Sequence, residues 1–398
     1  GNVIDPLDVI HGATKDALVE KATRDGAPQG AIKNIEKQFP EGIPASGADA
    51  LRFTLAAMAA QGRNIRLALA RVEGYRHFAN KIWNAARFAL MNLQDFDADR
   101  FQDLLGAEHR GRFSVADRWI LSRLQRTAKE VDEALSAFRI NDAAQALYRF
   151  VWTELCDWYI ELAKSALYDK SDEGAERRRI AQGTLALALK TACELLHPFM
   201  PFITEEVWQH LPKPTGTPQS IMITVYPSED AGMVDAEAEA TMAIAQEVIV
   251  AVRNVRAEFN VSPGAPLDVT VIAPDEATRA RVEAQRGSVK ELARAGSIAL
   301  AIGGEPPHGT VTVHTDAGNL SVCVALAGQV DAAAETKRIE KDLARNDKDL
   351  EQVRRKLGDE KFIARAPAEI IEKEKRRLVE GEERAVKLRA SLARLSSL

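Results

Sequence analysis

Residues 339–357 read IEKDLARNDKDLEQVRRKL, and residues 371–395 read IEKEKRRLVEGEERAVKLRASLARL. In the first segment, steps of four and three separate Ile339, Leu343, Asn346, Leu350, Val353 and Leu357. The second segment keeps a similar heptad-like spacing of apolar residues. Gly358 suits a helix end and Pro367 suits a first helical turn, so the chain reverses between them. These segments predict an antiparallel coiled coil over 331–398.

The register of this coiled coil is set by one polar pair. Pairing residues whose numbers add to 727 or 728 places Leu350 opposite Leu378 and Leu343 opposite Ala385. The same pairing places Asn346 opposite Gly381. A polar residue facing the smallest residue fixes the alignment at some cost in stability. A rod of this kind has little core of its own, so we expect it to serve as a reaching arm.

The remaining pattern is mainly helical and predicts four regions. They are a connector with brief helices over 1–47, a helical bundle over 48–235, a small α/β domain over 236–330 and the coiled-coil arm over 331–398. Within the second region we expect one strand over 221–226. The α/β domain should contain a helix over 236–258, strands over 267–272, 298–301, 309–314 and 320–326, and one helix over 276–294.

Composition and charge limit the class of protein. The 398 residues are 46% hydrophobic, which allows proper cores, but no apolar run approaches the roughly 20 residues that span a bilayer. Three scattered cysteines and seven histidines show no ligand spacing, so we expect no metal site and a reducing, cytoplasmic setting. Residues 331–398 carry a net charge of +3 and the remainder −8. This asymmetry favours a localised contact with a polyanion.

A basic stretch interrupts the acidic body of the chain. Residues 63–91 contain six Lys and Arg side chains against the single acid Glu73, and four aromatic residues lie among them. Cations that meet phosphates and rings that stack on unpaired bases are typical of RNA-binding surfaces. The alternative is an ordinary amphipathic helix with its aromatic residues inward, and both interpretations can hold for opposite faces. On this alternative we expect Trp83 in the core.

The chain contains none of the common catalytic motifs. No P-loop, GxGxxG, HExxH or GxSxG pattern occurs. We therefore expect no catalytic residue and no bound cofactor within these 398 residues.

Several motifs resemble class I aminoacyl-tRNA synthetases. Residues 80–88, NKIWNAARF, are similar to the segment that opens the anticodon-binding bundle of this family, and residues 196–208, LHPFMPFITEEVW, to a later signature of that bundle. Residues 1–6, GNVIDP, resemble the segment that lies just after the KMSKS loop of this family in sequence. Residues 47–52, GADALR, resemble the helix that follows the same loop. Residues 254–264, NVRAEFNVSPG, and 362–369, FIARAPAE, resemble bacterial valyl-tRNA synthetases. The family's HIGH motif, editing domain and KMSKS loop are absent, and no initiator Met is present. We therefore expect a C-terminal fragment that begins just after the KMSKS loop.

The resemblance implies a function. The intact enzyme would be a valine–tRNA ligase that uses ATP and Mg²⁺, whereas this fragment alone would be inactive, monomeric and bound to tRNA(Val), with no DNA or membrane partner. Implied contacts in the bundle are Arg76, Asn80, Lys81, Trp83, Asn84 and Arg87. Implied contacts in the arm are Lys337, Arg338, Lys341, Arg345, Arg354 and Arg355. The alternatives are the same region of an isoleucyl- or leucyl-tRNA synthetase, or a coiled-coil module that binds a protein partner.

Overall fold

The computed structural model describes residues 5–59, 67–326, 328–329, 332–359, 362–363 and 366–395. Two cations of the basic stretch, Arg63 and Arg66, lie outside the described residues, as do residues 1–4 and residues 364–365 of the hairpin tip. The chain divides into two compact units, Gly1–Glu239 and Ala240–Leu398. The finer division into four domains remains a prediction. No helix in the described ranges is long and apolar enough to span a membrane.

The first unit begins with three short helices and continues as a helical bundle. Its helices are α1 (Pro6–His11), α2 (Lys15–Arg24), α3 (Gln29–Gln38), α4 (Ala48–Met58), α5 (Leu69–Asn92), α6 (Ala98–Gln102), α7 (Val115–Ser136), α8 (Ile140–Arg149), α9 (Ile160–Tyr168), α10 (Ala175–Leu196) and α11 (Pro201–His210). A bridge between Ala13 and Ile43 closes α2 and α3 into one loop. Ser114 and Asp117 form a capping box that begins α7. The fully buried side chains of Phe78, Leu124 and Trp208 belong to the bundle core.

A π-helical segment, Phe150–Tyr159, joins α8 to α9. Because a π-helix advances more residues per turn than an α-helix, it shifts which residues face the core. The apolar stripe runs through Val151 and Leu155 and then buries Tyr159, while Trp158 is only partly buried. The Tyr159 hydroxyl donates to the Asp117 carboxylate over 2.7 Å, which ties this segment to α7 inside the core.

The strand predicted over 221–226 is wrong. Residues Ile221–Ile223 form a 3₁₀ turn instead, and the Ser220 side chain accepts a hydrogen bond from the Met222 amide at its start. The Ser220 hydroxyl also donates to Glu205 of α11 over 2.9 Å. β-Propensity depends on a pairing partner, and this segment packs along a helix.

The second unit contains a small α/β domain. After α12 (Ala236–Glu258) come β1 (Leu267–Ala273), α13 (Glu276–Ala284), α14 (Arg286–Ala293), β2 (Ala295–Ile302), β3 (Thr310–His314) and β4 (Ser321–Ala325). The sheet order is β2-β1-β4-β3, with β2 parallel to β1 and β4 antiparallel to both of its neighbours. The single helix predicted over 276–294 is broken at Gln285 into α13 and α14.

The arm consists of α15 (Ala332–Leu357) and α16 (Ala368–Leu395). Asn346 donates from Nδ2 to the Gly381 carbonyl over 2.9 Å, which confirms the predicted register. Ile339, Leu350, Val353 and Ala385 are buried in the seam between the helices. The predicted fold class is therefore confirmed: mainly α, with a helical bundle, a small α/β domain and an antiparallel coiled-coil arm.

Candidate nucleic-acid interface

Helix α5 has two faces of different character. Its buried face consists of Val72, Phe78, Ile82, Ala85, Ala86 and Ala89, which pack into the bundle. The Phe78 ring lies 5.2 Å from that of Phe53 on α4, measured between ring centroids. The buried face fixes the rotation of α5, so the residues opposite it must face outward.

The outward face carries polar, cationic and aromatic side chains. Asn80, Trp83, Asn84 and Arg87 are all exposed, and Arg76 lies one turn earlier with its side chain 37% exposed. At 3.6 residues per turn these five positions fall within an arc of about 100°. We call this set the α5 stripe. It combines amide donors and acceptors, two guanidinium groups and one indole on a rigid helix.

Trp83 was expected in the core, and that expectation is wrong. Its side chain is 42% exposed, because the buried positions of α5 lie on the other side of the helix. A large ring held outward by a helix that is itself packed into a bundle offers a flat surface for stacking. Asn80 and Asn84 flank this ring at i−3 and i+1, as their spacing predicts.

Lys81 does not belong to the α5 stripe. Its ammonium group lies 2.5 Å from the Asp157 carboxylate and 3.9 Å from the centroid of the Trp152 ring. Trp152 in turn stacks on Tyr148 with an interplanar angle of 16°. Lys81 therefore connects α5 to the π-helical segment. By contrast, Arg87 makes no ion pair with any described residue, and Arg76 lies 3.6 Å from Glu73.

An open groove of about 520 Å³ runs beside the α5 stripe. Its lining includes Arg76 and Asn80 from α5, Ser46 before α4, and Phe202 from α11. Phe202 is 67% exposed and was not among the predicted site residues. Periodicity does not identify it, because Phe202 lies in the first turn of its helix, where the apolar spacing of the helix has not yet developed.

Two of the family-like motifs meet at a structural joint close to this groove. The Asp49 carboxylate accepts hydrogen bonds from the amides of Ile203, at 2.7 Å, and Phe202, at 3.3 Å. Arg52 donates to the Pro198 carbonyl over 3.0 Å. Burial raises the pKa of Asp49, although the two amides act in the opposite direction. The GADALR and HPFMPF motifs thus hold α4 and α11 together.

The arm contains cations of two kinds. Arg338 pairs with Glu335 and, at 3.2 Å, with Asp342; Arg354 pairs with Glu382 of α16 at 2.6 Å. Lys337, Lys341, Arg345 and Arg355 are exposed and form no ion pair with a described residue. Of the predicted arm contacts, two are therefore engaged within the protein and four are available.

Lys348 shares the properties of the available group but was not predicted. It is exposed and has no ion pair within the described part of the chain. Its distance of three residues from Arg345 continues the helical spacing of 337, 341 and 345, so the spacing alone could have identified it.

Metal-ligand clusters, thiols and histidines are the remaining candidates for chemistry among the described residues. Within the described ranges, no group of three or more His, Cys, Asp or Glu side chains could hold a metal ion. Burial raises the pKa of Cys156 to about 12, so this thiol stays protonated near neutral pH. His197 lies 2.8 Å from the Thr204 hydroxyl at the turn between α10 and α11, where it joins two helices.

Comparison with known proteins identifies similar domains. A model described as the anticodon-binding domain of tRNA ligase matches residues 117–271, and one described as the valyl tRNA synthetase tRNA binding arm matches residues 331–396. The chain is 39% identical to the valine–tRNA ligase of Acinetobacter baylyi and 38% identical to that of Coxiella burnetii. Each alignment covers 100% of this chain and 41% or 43% of the relative, so the chain spans about two-fifths of their length.

One solved structure shows a weaker likeness. It is the ternary complex of Agrobacterium radiobacter K84 agnB2 LeuRS-tRNA-LeuAMS, at 14% identity and a TM-score of 0.33, with 68% of this chain and 30% of that chain covered. A likeness of this size establishes neither fold nor function.

Proposed function

We propose, because this chain belongs to the valyl-tRNA synthetase family, that its helical bundle and its arm bind a valine tRNA. Both family models name the binding of tRNA or its anticodon, and together they match the bundle from α7 onward, part of the α/β domain and the arm. In this proposal the two units make different contacts with one RNA. The bundle recognises the anticodon loop, and the arm braces the elbow of the tRNA.

The exposed α5 stripe is the observation that carries the proposal for the bundle. Loop bases leave their stack and become available for stacking on an aromatic ring and for hydrogen bonds to their edges. Trp83 supplies the ring, Asn80 and Asn84 supply amides that both donate and accept, and Arg87 supplies a free guanidinium. Valine anticodons share A and C at their second and third positions, and these are the bases that such a site would read.

The arm contributes position and affinity in this proposal. Contacts to phosphate carry no sequence information, but they fix the orientation of the RNA on the protein. The exposed, unpaired cations of α15 suit this task. The ion-paired Arg338 and Arg354 suit the internal stability of the arm.

The intact enzyme, in our proposal, attaches valine to tRNA with ATP and Mg²⁺. The residues of this chain do not fit either group, because the sequence has no nucleotide-binding motif and the described residues include no cluster of carboxylates suited to a metal. We propose further that the chain alone does not charge tRNA, and that the protein acts as a monomer in the cytoplasm.

A binding experiment tests the proposal for the bundle. Anisotropy of a labelled tRNA with a valine anticodon is measured against the wild-type chain and against Trp83→Ala and Asn84→Ala variants. We expect each variant to bind more weakly, and a transcript with an altered anticodon loop to bind the wild type more weakly. Phe138→Ala is the matched control, since Phe138 is 77% exposed and lies between α7 and α8, away from the α5 stripe in sequence. Unchanged binding by both stripe variants would refute the role of α5.

A further inference from the structure

We propose that the arm binds RNA on one side only, through five cations on the outer face of α15. The five are Lys337, Lys341, Arg345, Lys348 and Arg355, and we call them the α15 strip. This inference rests on the proposed function, because it names the face of the arm that the tRNA touches. It also adds Lys348 as a contact and removes Arg338 and Arg354.

The spacing of the strip places its members on a single face. At 3.6 residues per turn, the steps of 4, 4, 3 and 7 residues keep all five within an arc of about 80°. The seam residues Ile339, Asn346, Leu350 and Val353 are buried on the roughly opposite side of the same helix. The strip therefore faces away from α16, and over its 18 residues it extends about 27 Å.

The cations of the strip are not held in ion pairs within the described part of the protein. All five side chains are exposed, and none forms an ion pair with a described residue. The other positions on this face, Ala344 and Gln352, are uncharged. The acids of α15 lie beside the strip or toward the seam, and Glu335 and Asp342 are already paired with Arg338. Along the described part of α15, the strip is therefore a row of exposed cations that form no ion pair.

The second helix of the arm presents a different outer surface. Its exposed charged residues on the side away from the seam are of both signs: Glu372, Lys373, Arg376, Glu380, Glu383 and Lys387. Three acids offset three bases, so a polyanion gains little by approaching this side. The two faces of the arm thus differ in net charge although both are polar.

The ion-paired cations have a separate role at the root of the arm. The Arg338 guanidinium donates to the Glu258 carbonyl over 3.3 Å, and Arg394 pairs with the Glu258 carboxylate at 2.8 Å. Both helices of the arm are thereby fastened to the end of α12. Arg338 orients the arm, while the strip on the same helix stays free to meet phosphate.

The test compares two triple variants of equal charge. One removes three strip cations, Lys341→Gln, Arg345→Gln and Lys348→Gln. The other removes three exposed, unpaired cations of α16, Lys373→Gln, Arg376→Gln and Lys387→Gln. Gln is a good helix former, so both arms should keep their helices, and circular dichroism checks this. Binding of the valine tRNA transcript is measured over a range of salt concentrations.

The strip variant should bind roughly 10- to 100-fold more weakly at physiological salt, with the slope of log K against log salt reduced by about 2 to 3. The α16 variant should change both quantities little. Equal losses in the two variants would overturn the one-sided contact and indicate a general charge effect. No loss in either would also overturn it. In either case the binding of an isolated anticodon stem-loop is also measured. If that binding still depends on Trp83, the proposed function of the bundle stands.

Discussion

Asp49 provides a sharp test of how the bundle is held together. The first amides of a helix have no partner within the helix, so those of Phe202 and Ile203 depend on the carboxylate that α4 supplies. Asp49→Ala removes both hydrogen bonds in a site where only 8% of the residue is exposed. No other described side chain is seen to bond these amides.

The expected loss of stability follows from the lengths of the two hydrogen bonds that Asp49 accepts. The bond to Ile203 at 2.7 Å is a short, charge-assisted one, whereas the bond to Phe202 at 3.3 Å is long. One good charge-assisted bond stabilises by about 1.5–3 kcal/mol, and the long bond adds little. We therefore expect Asp49→Ala to lower the free energy of unfolding by about 2 kcal/mol. Asp49→Asn, which keeps one acceptor oxygen, should lose about half of this.

Urea denaturation measures the free energy of unfolding, and amide hydrogen exchange measures the local protection at the start of α11. The Ile203 amide should lose protection in Asp49→Ala, while amides in the middle of α10 keep theirs. Glu20→Ala is the control, because Glu20 is an exposed carboxylate of α2 with no hydrogen bond to a described side chain. Unchanged exchange at Ile203 together with an unchanged midpoint would refute the capping role.

The pH dependence of the same variants gives an independent check. Burial raises the pKa of Asp49 in the folded chain above its unfolded value of about 3.9. The folded state therefore binds the proton more tightly, and the contribution of Asp49 to stability declines as the pH rises from the unfolded pKa through the folded one. Asp49→Asn should lack this contribution, so its stability should fall less across that window than the wild type's.

Three further predictions concern the core, the stripe and the arm. Trp83→Ala should weaken tRNA binding by about 1–3 kcal/mol without a shift in the melting temperature, whereas Phe78→Ala should cost about 3–5 kcal/mol of stability. Anisotropy measures the binding and thermal melting measures the stability. A lowered melting temperature of Trp83→Ala would contradict the claim that this ring is exposed and not part of the core. Tyr159→Phe removes the donor to the buried Asp117, so urea denaturation should show a loss of about 1–3 kcal/mol at neutral pH and a smaller loss in acid, where the carboxyl is protonated. Asn346→Leu should raise the melting temperature of the arm but allow more than one register, which cysteine cross-linking across the seam would reveal; a single register would contradict this.

The arm was the part most completely predictable from the sequence. A heptad spacing in two segments joined by a short turn predicts an antiparallel pair of helices that buries both apolar stripes. The Asn346 side chain then had one position opposite a glycine, and the hydrogen bond to Gly381 lies there. At this glycine an added Cβ would approach Leu350 to 2.7 Å, so the close contact of the helices depends on the missing side chain.

Other features depend on tertiary context that a single sequence does not contain. The β-branched segment after Ser220 lies along α11 and has no partner strand among the described residues, so its local propensity did not decide its structure. In the π-helical segment the apolar stripe of Val151 and Leu155 continues to Tyr159, because hydrogen bonds of a π-helix span more residues than those of an α-helix. A change of helix type of this kind leaves no clear mark on periodicity.

The candidate site was predictable in its residue types and less so in its geometry. Asn80, Asn84 and Arg87 lie on one exposed face of α5, which agrees with their helical spacing. The amphipathic-helix interpretation placed Trp83 in the core because large rings are usually buried, but its position in the helix places it with these exposed residues. For Lys81 the reverse held: the positive charge suggested an outward contact, but the ion pair to Asp157 engages it within the bundle.

The most direct test of the central claim is the binding of a valine tRNA transcript to the 398-residue chain as the salt concentration is raised. We predict clear binding at low salt, a steep loss of affinity with added salt, and weaker binding when the anticodon loop is altered. Absence of binding at low salt, or equal binding to the altered transcript, would contradict the account and favour a module that binds a protein partner.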